Sequence, residues 1–161
     1  MANLTSTAPL AFNTFYGYLV TAGASQNPVV SVMNTELVQF EPGSYVLLNG
    51  IENHRWKWAA LGSFAFYEWY DIVGYCTVLQ GDVDPGTVLT NTYALFEDVV
   101  HTTAVTYRAP PLSTTLQSMG LLEFLPGFAR YEGEPGSFGG GQGGFMGRVD
   151  FSYSCYARVE V

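Results

Sequence analysis

Positive charge is scarce in this chain. Its 161 residues hold six Lys and Arg against fourteen Asp and Glu, a formal net charge of −8. The six are Arg55, Lys57, Arg108, Arg130, Arg148 and Arg158, and they form no basic run. That argues against general nucleic-acid binding by a basic face, although symmetry in an oligomer would multiply a local basic spot. Charge of either sign is sparse, at 12% of residues, while aromatics reach 16%. A surface so poor in charge favours burial against partners, and the half-polar Tyr suits such positions. No apolar run reaches the roughly 18–20 residues that a membrane span needs. The opening Met-Ala-Asn-Leu-Thr-Ser-Thr-Ala-Pro lacks the charged segment of a secretory signal. On that reading the Asn3-Leu4-Thr5 sequon is a chance match. The two cysteines, Cys76 and Cys155, are then expected as buried, reduced thiols in strands.

Catalytic and cofactor motifs are missing as well. No G-x-S-x-G, H-E-x-x-H, G-K-[ST] or Cys–His signature occurs, so the chain is read as a non-enzyme without cofactor. Gly139 to Gly144 formally matches G-x-G-x-x-G, but a strand follows it instead of a helix and no downstream acid stands at the right distance. His54, His101 and the two cysteines lack zinc-site spacing, and His101 is placed near a helix C-terminus, where a cation is favoured. Asp82 and Asp84 supply too few oxygens at regular spacing for a Ca²⁺ loop; helix capping accounts for both.

What is present is a single domain, 1–161, long enough to bury about 68–70% of its unfolded surface. Residues 8–24 read as a helix, capped by Ser6 or Thr7, with Pro9 in its first turn and a stripe of Phe12, Phe15, Tyr16 and Leu19. Val29–Met33 and Tyr45–Gly50 read as strands, and 51–63 as an exposed loop. Residues 64–79 read as a long third strand, rich in aromatic and β-branched residues. Asp84 as N-cap and Pro85 as first helical residue start a helix over about 85–105, with Leu89, Tyr93, Phe96 and Val100 on one face. Ala109-Pro-Pro-Leu breaks it. Two strands fit Ser113–Leu125 and Phe128–Glu132, and 133–147 reads as a mobile Gly-rich loop. From Val149 to Val161 every second residue is apolar, the pattern of a strand buried on one face. The fold expected is α+β: a mainly antiparallel sheet with an N-terminal and a central helix on one face.

Two segments stand out as candidate interfaces. His54-Arg55-Trp56-Lys57-Trp58 interleaves bases with aromatics, a composition open to protein contact, to single-stranded nucleic acid, or to a plain solvated loop. The Gly-rich segment carries Phe138, Gln142, Phe145 and Met146, and Arg148 follows directly after it.

The order of elements, with several local motifs, resembles the tail-terminator (tail-completion) proteins of long non-contractile-tailed bacteriophages. The likeness rests on Trp58-Ala-Ala-Leu-Gly62 before a long strand, on Glu68 through Val78 as an "E…V.C.V" strand, and on Gly81-Asp82-Val83-Asp84 as an "sGDtD" turn. Tyr93 through Val99 is similar to the family's second helix, and Gly140 through Arg158 to its closing strand. The connection over 34–45 and the Gly-rich segment are longer than the family pattern. The resemblance implies a virion structural protein, assembled in the host cytoplasm and placed at the head-proximal end of the tail. Its copies would form a hexameric ring that ends tube polymerisation and joins the tube protein to the head–tail connector. DNA would cross an acidic lumen without specific binding, and no membrane is involved. The 64–79 strand is the expected subunit contact, by overhang or β-augmentation, with head- or tube-facing contacts in the 52–58 and 133–147 segments. Alternatives are a stopper or tube subunit, or a small-ligand or carbohydrate-binding β-rich module.

Overall fold

The computed structural model describes residues 6–35, 41–59, 65–81, 84–108, 120–138 and 142–160. Helix α1 (Ala8–Ala24) leads into β1 (Ser31–Met33), β2 (Gly43–Trp58) and β3 (Ala65–Gly81). A helical rod follows: α2 (Pro85–Leu95), a π-helical stretch Phe96–His101, and α3 (Thr102–Arg108). Strands β4 (Leu121–Phe138) and β5 (Gln142–Glu160) close the described chain. The five strands form one sheet in the order β1-β2-β3-β5-β4, antiparallel except for the short β1–β2 pair. This is the expected α+β fold, with helices on one sheet face.

Strand alternation builds the core. Tyr70, Ile72 and Cys76 of β3 lie in one surface row with Val149, Phe151, Tyr153 and Cys155 of β5, all buried. Phe15 and Leu19 of α1 and Val99, Val100 and Tyr107 of the rod cover that row. Phe15 sits 5.4–5.6 Å from the rings of Tyr107, Phe124 and Tyr153, and Phe124 lies flat on Tyr153 at 5.1 Å. Burying one such ring contributes about 1.5–3 kcal/mol.

Helix α1 spans the expected residues, but its Thr7 side chain makes no cap; Ser6 Oγ accepts from the Ala8 N–H instead, at 3.1 Å. Asp84 does cap α2, accepting from the N–H groups of Gly86 and Thr87, with Pro85 first in the helix.

The rod buries a different face from the one expected. Val88, Thr92, Leu95 and Val99 are buried, whereas Leu89 and Tyr93 are exposed. The reason is the π stretch. It holds more residues per turn, so the inward face shifts by one position, and Val99 and Val100 are both buried where the two faces meet. A uniform 3.6 period drawn back from Val100 therefore lands on the wrong side. His101 lies in this stretch, seven residues before the last rod residue, rather than at a helix C-terminus.

Three loop and strand expectations are corrected. Residues 51–58 are not a loop but the outer half of β2, paired with Phe66–Ile72. A bulge between Glu52 and Arg55, with Asn53 at φ 53°, takes up the extra residues. Phe128–Glu132 is not a separate strand: β4 is continuous, and the Pro126–Gly127 step is absorbed by a register shift before Ala129. Most of 133–147 is paired strand, since Gly133–Phe138 runs beside Gln142–Gly147 as a hairpin arm. Residues 60–64, 82–83, 109–119 and 139–141 lie outside the described ones. The expected Ala109-Pro-Pro-Leu break, the start of the Ser113 strand, Asp82 and the first half of the G-x-G-x-x-G match fall there.

Candidate interface at the ends of the sheet

The two candidate segments occupy opposite ends. Arg55, Trp69, Tyr156 and Glu123 form one row across β2, β3, β5 and β4. Met146 pairs with Leu79 and with Glu134. Tyr156 and Met146 are ten residues apart on β5, about 33 Å of extended strand. The structure does not join them into one site.

At the first end, β2 alternates. Trp56 and Trp58 pair with Glu68 and Phe66 on the helix side of the sheet, while Arg55 and Lys57 pair with Trp69 and Tyr67 on the open side. On the open side Arg55 lies over the Trp69 ring at 5.8 Å; Tyr156 stacks on Trp69 at 5.0 Å and on Tyr67 at 5.5 Å. On the helix side Trp56 and Trp58 are 66% and 60% exposed. Together with Ser6, His54, Phe66 and Glu68 they line a pocket of about 260 Å³.

The floor of that pocket is Glu68, whose side chain is fully buried. Oε1 accepts from the Thr7 N–H at 2.6 Å and from the Thr7 hydroxyl; Oε2 accepts from Ser6 Oγ at 2.8 Å and lies 3.0 Å from His54 Nε2. Burial opposes the charged carboxylate, but the bonds from Thr7, His54 and Ser6 outweigh it and hold the carboxyl below its ordinary value. The carboxylate thereby pins the start of α1, through the N–H of Thr7 at its N-cap position, to the central strand β3.

At the other end, Phe145 and Met146 are half-buried, and Arg148 is already engaged. Its guanidinium lies 3.7 Å over Tyr75 and donates to Asp150 Oδ1 at 2.6 and 2.9 Å. The backbones of Phe138 and Gln142 are register partners across the hairpin.

The expected contact strand, β3, cannot accept another strand, because β2 and β5 flank it on both sides along its length. The free edges are elsewhere. β1 covers only Tyr45–Leu47 of β2, so among the described residues nothing pairs with the outer edge of β2 beyond Leu47, nor with that of β4. Exposed Leu122, Leu125 and Phe128 stand on β4. Neither the β4 edge nor Glu68, named from sequence only as the start of a strand motif, was expected as a site. The signal for Glu68 was its place in the period-2 row with Tyr70 and Ile72, which makes it a carboxylate on a core face. Among the described residues no group of three or more His, Cys, Asp or Glu is placed to hold a metal, and no helix is long and apolar enough to cross a membrane. The chain matches no known family model, and no curated protein matches it.

Proposed function

We propose that this chain is a virion structural protein that forms a ring on the phage tail tube, ends the tube's polymerisation and presents the surface that joins it to the head. The resemblance supplies the role and the hexamer; the sheet edges support the ring. In one sheet, β2 runs opposite to β4, since each neighbouring pair between them is antiparallel. Adding β4 of one copy to the free edge of β2 in the next continues the same antiparallel sheet. Such a contact is head-to-tail, the kind that closes into rings. Pro126 limits the pairing stretch on β4 to Leu121–Leu125. With no slip along the strands, Arg55 of one copy meets Glu123 of the next on the open face. Among the described residues neither has an ion-pair partner within its own copy.

The test is the solution mass of the purified protein by light scattering, with negative-stain microscopy of the same peak and of tail tubes mixed with it. Isolated rings, or rings only on tube ends, are expected. Long cylinders would make the chain a tube subunit, and a monomer indifferent to tubes would overturn the reading. Arg55→Glu and Glu123→Arg should each disfavour the ring, and the double variant should restore it.

A further inference from the structure

We propose that the pocket between Trp56 and Trp58 is a recognition site for a basic side chain, lysine or arginine, carried by a partner polypeptide. The inference is independent of ring formation.

The pocket is open and its walls are aromatic. Trp58 meets the Phe66 ring edge-on at 6.3 Å, and Trp56 meets His54 edge-on at 5.3 Å, so the indoles are braced while most of their surface faces water. Two adjacent, mostly exposed tryptophans are costly unless something covers them. Their π faces carry negative potential and attract cations, most strongly where water is excluded.

The floor reinforces the same sign. Glu68 is fully buried, and three of its four hydrogen-bond partners are neutral donors from Ser6 and Thr7. The start of α1 offsets part of its charge, about half a unit at most. Among the described residues no Lys or Arg lies within ion-pair distance of it. The two nearest in sequence, Arg55 and Lys57, belong to the open face of the sheet. Among the described residues His54 alone is placed to bring a compensating charge, and its side chain is partly exposed at the rim. An anionic floor, π walls and, among the described residues, no Lys or Arg beside them select a positive guest. The apolar walls and a volume of about 260 Å³ select one on an alkyl stem rather than a hydrated metal ion. A long basic side chain has that form. Its stem lies between the indoles and its head points toward the carboxylate.

The test uses the full chain, labelled with ¹⁵N, titrated with N-acetyl-lysine methylamide, N-acetyl-arginine methylamide, the neutral isostere N-acetyl-norleucine methylamide, and tetramethylammonium. The three indole N–H signals report the site. Trp56 and Trp58 line the pocket, whereas Trp69 lies on the opposite face and serves as an internal control. The expected result is saturable shifts at Trp56 and Trp58 but not Trp69, with a basic probe binding at least about tenfold tighter than norleucine. Trp58→Leu, which keeps an apolar residue at an exposed position, should reduce the basic probes to the norleucine level. Equal binding of norleucine, or shifts centred on Trp69, would overturn the proposal. Tetramethylammonium binding without either amino-acid probe would overturn it too, by making the pocket a site for small free cations.

Discussion

Replacing Glu68 gives the sharpest test of how the fold is held. The carboxylate receives the Thr7 N–H, the Thr7 and Ser6 hydroxyls and the His54 ring, and its side chain has no exposure. Hydrogen bonds to a charged group are each worth about 1.5–3 kcal/mol net, against about 1 for neutral pairs. In Glu68→Gln the carbonyl oxygen still accepts both Thr7 bonds, weakened by the loss of charge. The amide nitrogen faces Ser6 and His54, which can turn or change tautomer to accept. The expected loss is about 2 kcal/mol. Glu68→Leu is different, because the Thr7 N–H has nowhere to turn, although its hydroxyl still reaches Tyr70 Oη at 3.0 Å. A buried orphan donor adds about 1–3 kcal/mol to the lost bonds, so about 4 kcal/mol is expected. The pH dependence follows from the depressed carboxyl. Glu68 contributes fully above the unfolded value, about 4.3, and that contribution is lost as pH falls through the lower folded value. Urea unfolding followed by circular dichroism at pH 7 and at successively lower pH measures all three quantities. If leucine proved as stable as wild type, or if the gap between wild type and glutamine did not narrow in acid, the account of Glu68 would be refuted.

Other outcomes follow from the packing. Phe124→Ala empties the centre of the Phe15, Tyr107 and Tyr153 ring cluster and should cost about 3–5 kcal/mol in the same urea assay. Gly147→Ala places a methyl against Thr92 Oγ1 and Val88 Cγ1, where α2 meets β5, and should cost about 1–3 kcal/mol through overpacking. Burial pushes the Cys76 thiol up to about 12 and raises Cys155 as well. Both should therefore resist a thiol reagent such as dithionitrobenzoate in the native protein at pH 8 and react promptly in urea.

Much of the fold is legible in the chain because local physics dictates it. The alternation from Val149 onward marks β5, and aromatic and β-branched residues mark β3. Asp84-Pro85 places the start of α2 to the residue, since a capping carboxylate and a fixed φ leave few other places to begin a helix. The candidate segment His54–Trp58 was also visible as an interleaving of bases and aromatics, but its secondary structure was not. Its period of two is that of a strand, and charged residues in an outer strand read as loop. Likewise the glycines of 133–147 carry no side-chain pattern to announce a hairpin.

Tertiary structure decided the remainder. The inward face of the rod depends on the π stretch at Phe96–His101, and no periodicity read with one period reports a change of helical pitch. Which strand edges are free depends on strand order, and that order moved the possible subunit contact from β3 to β2 and β4. Glu68 became a locking group only when β3 brought it under the first turn of α1, sixty-one residues away in sequence. The chain by itself determined α1, β3, the start of α2 and β5, because hydrophobic period and capping act over a few residues. Long-range packing determined which faces and edges are left for partners, because burial depends on neighbours that a local pattern does not name.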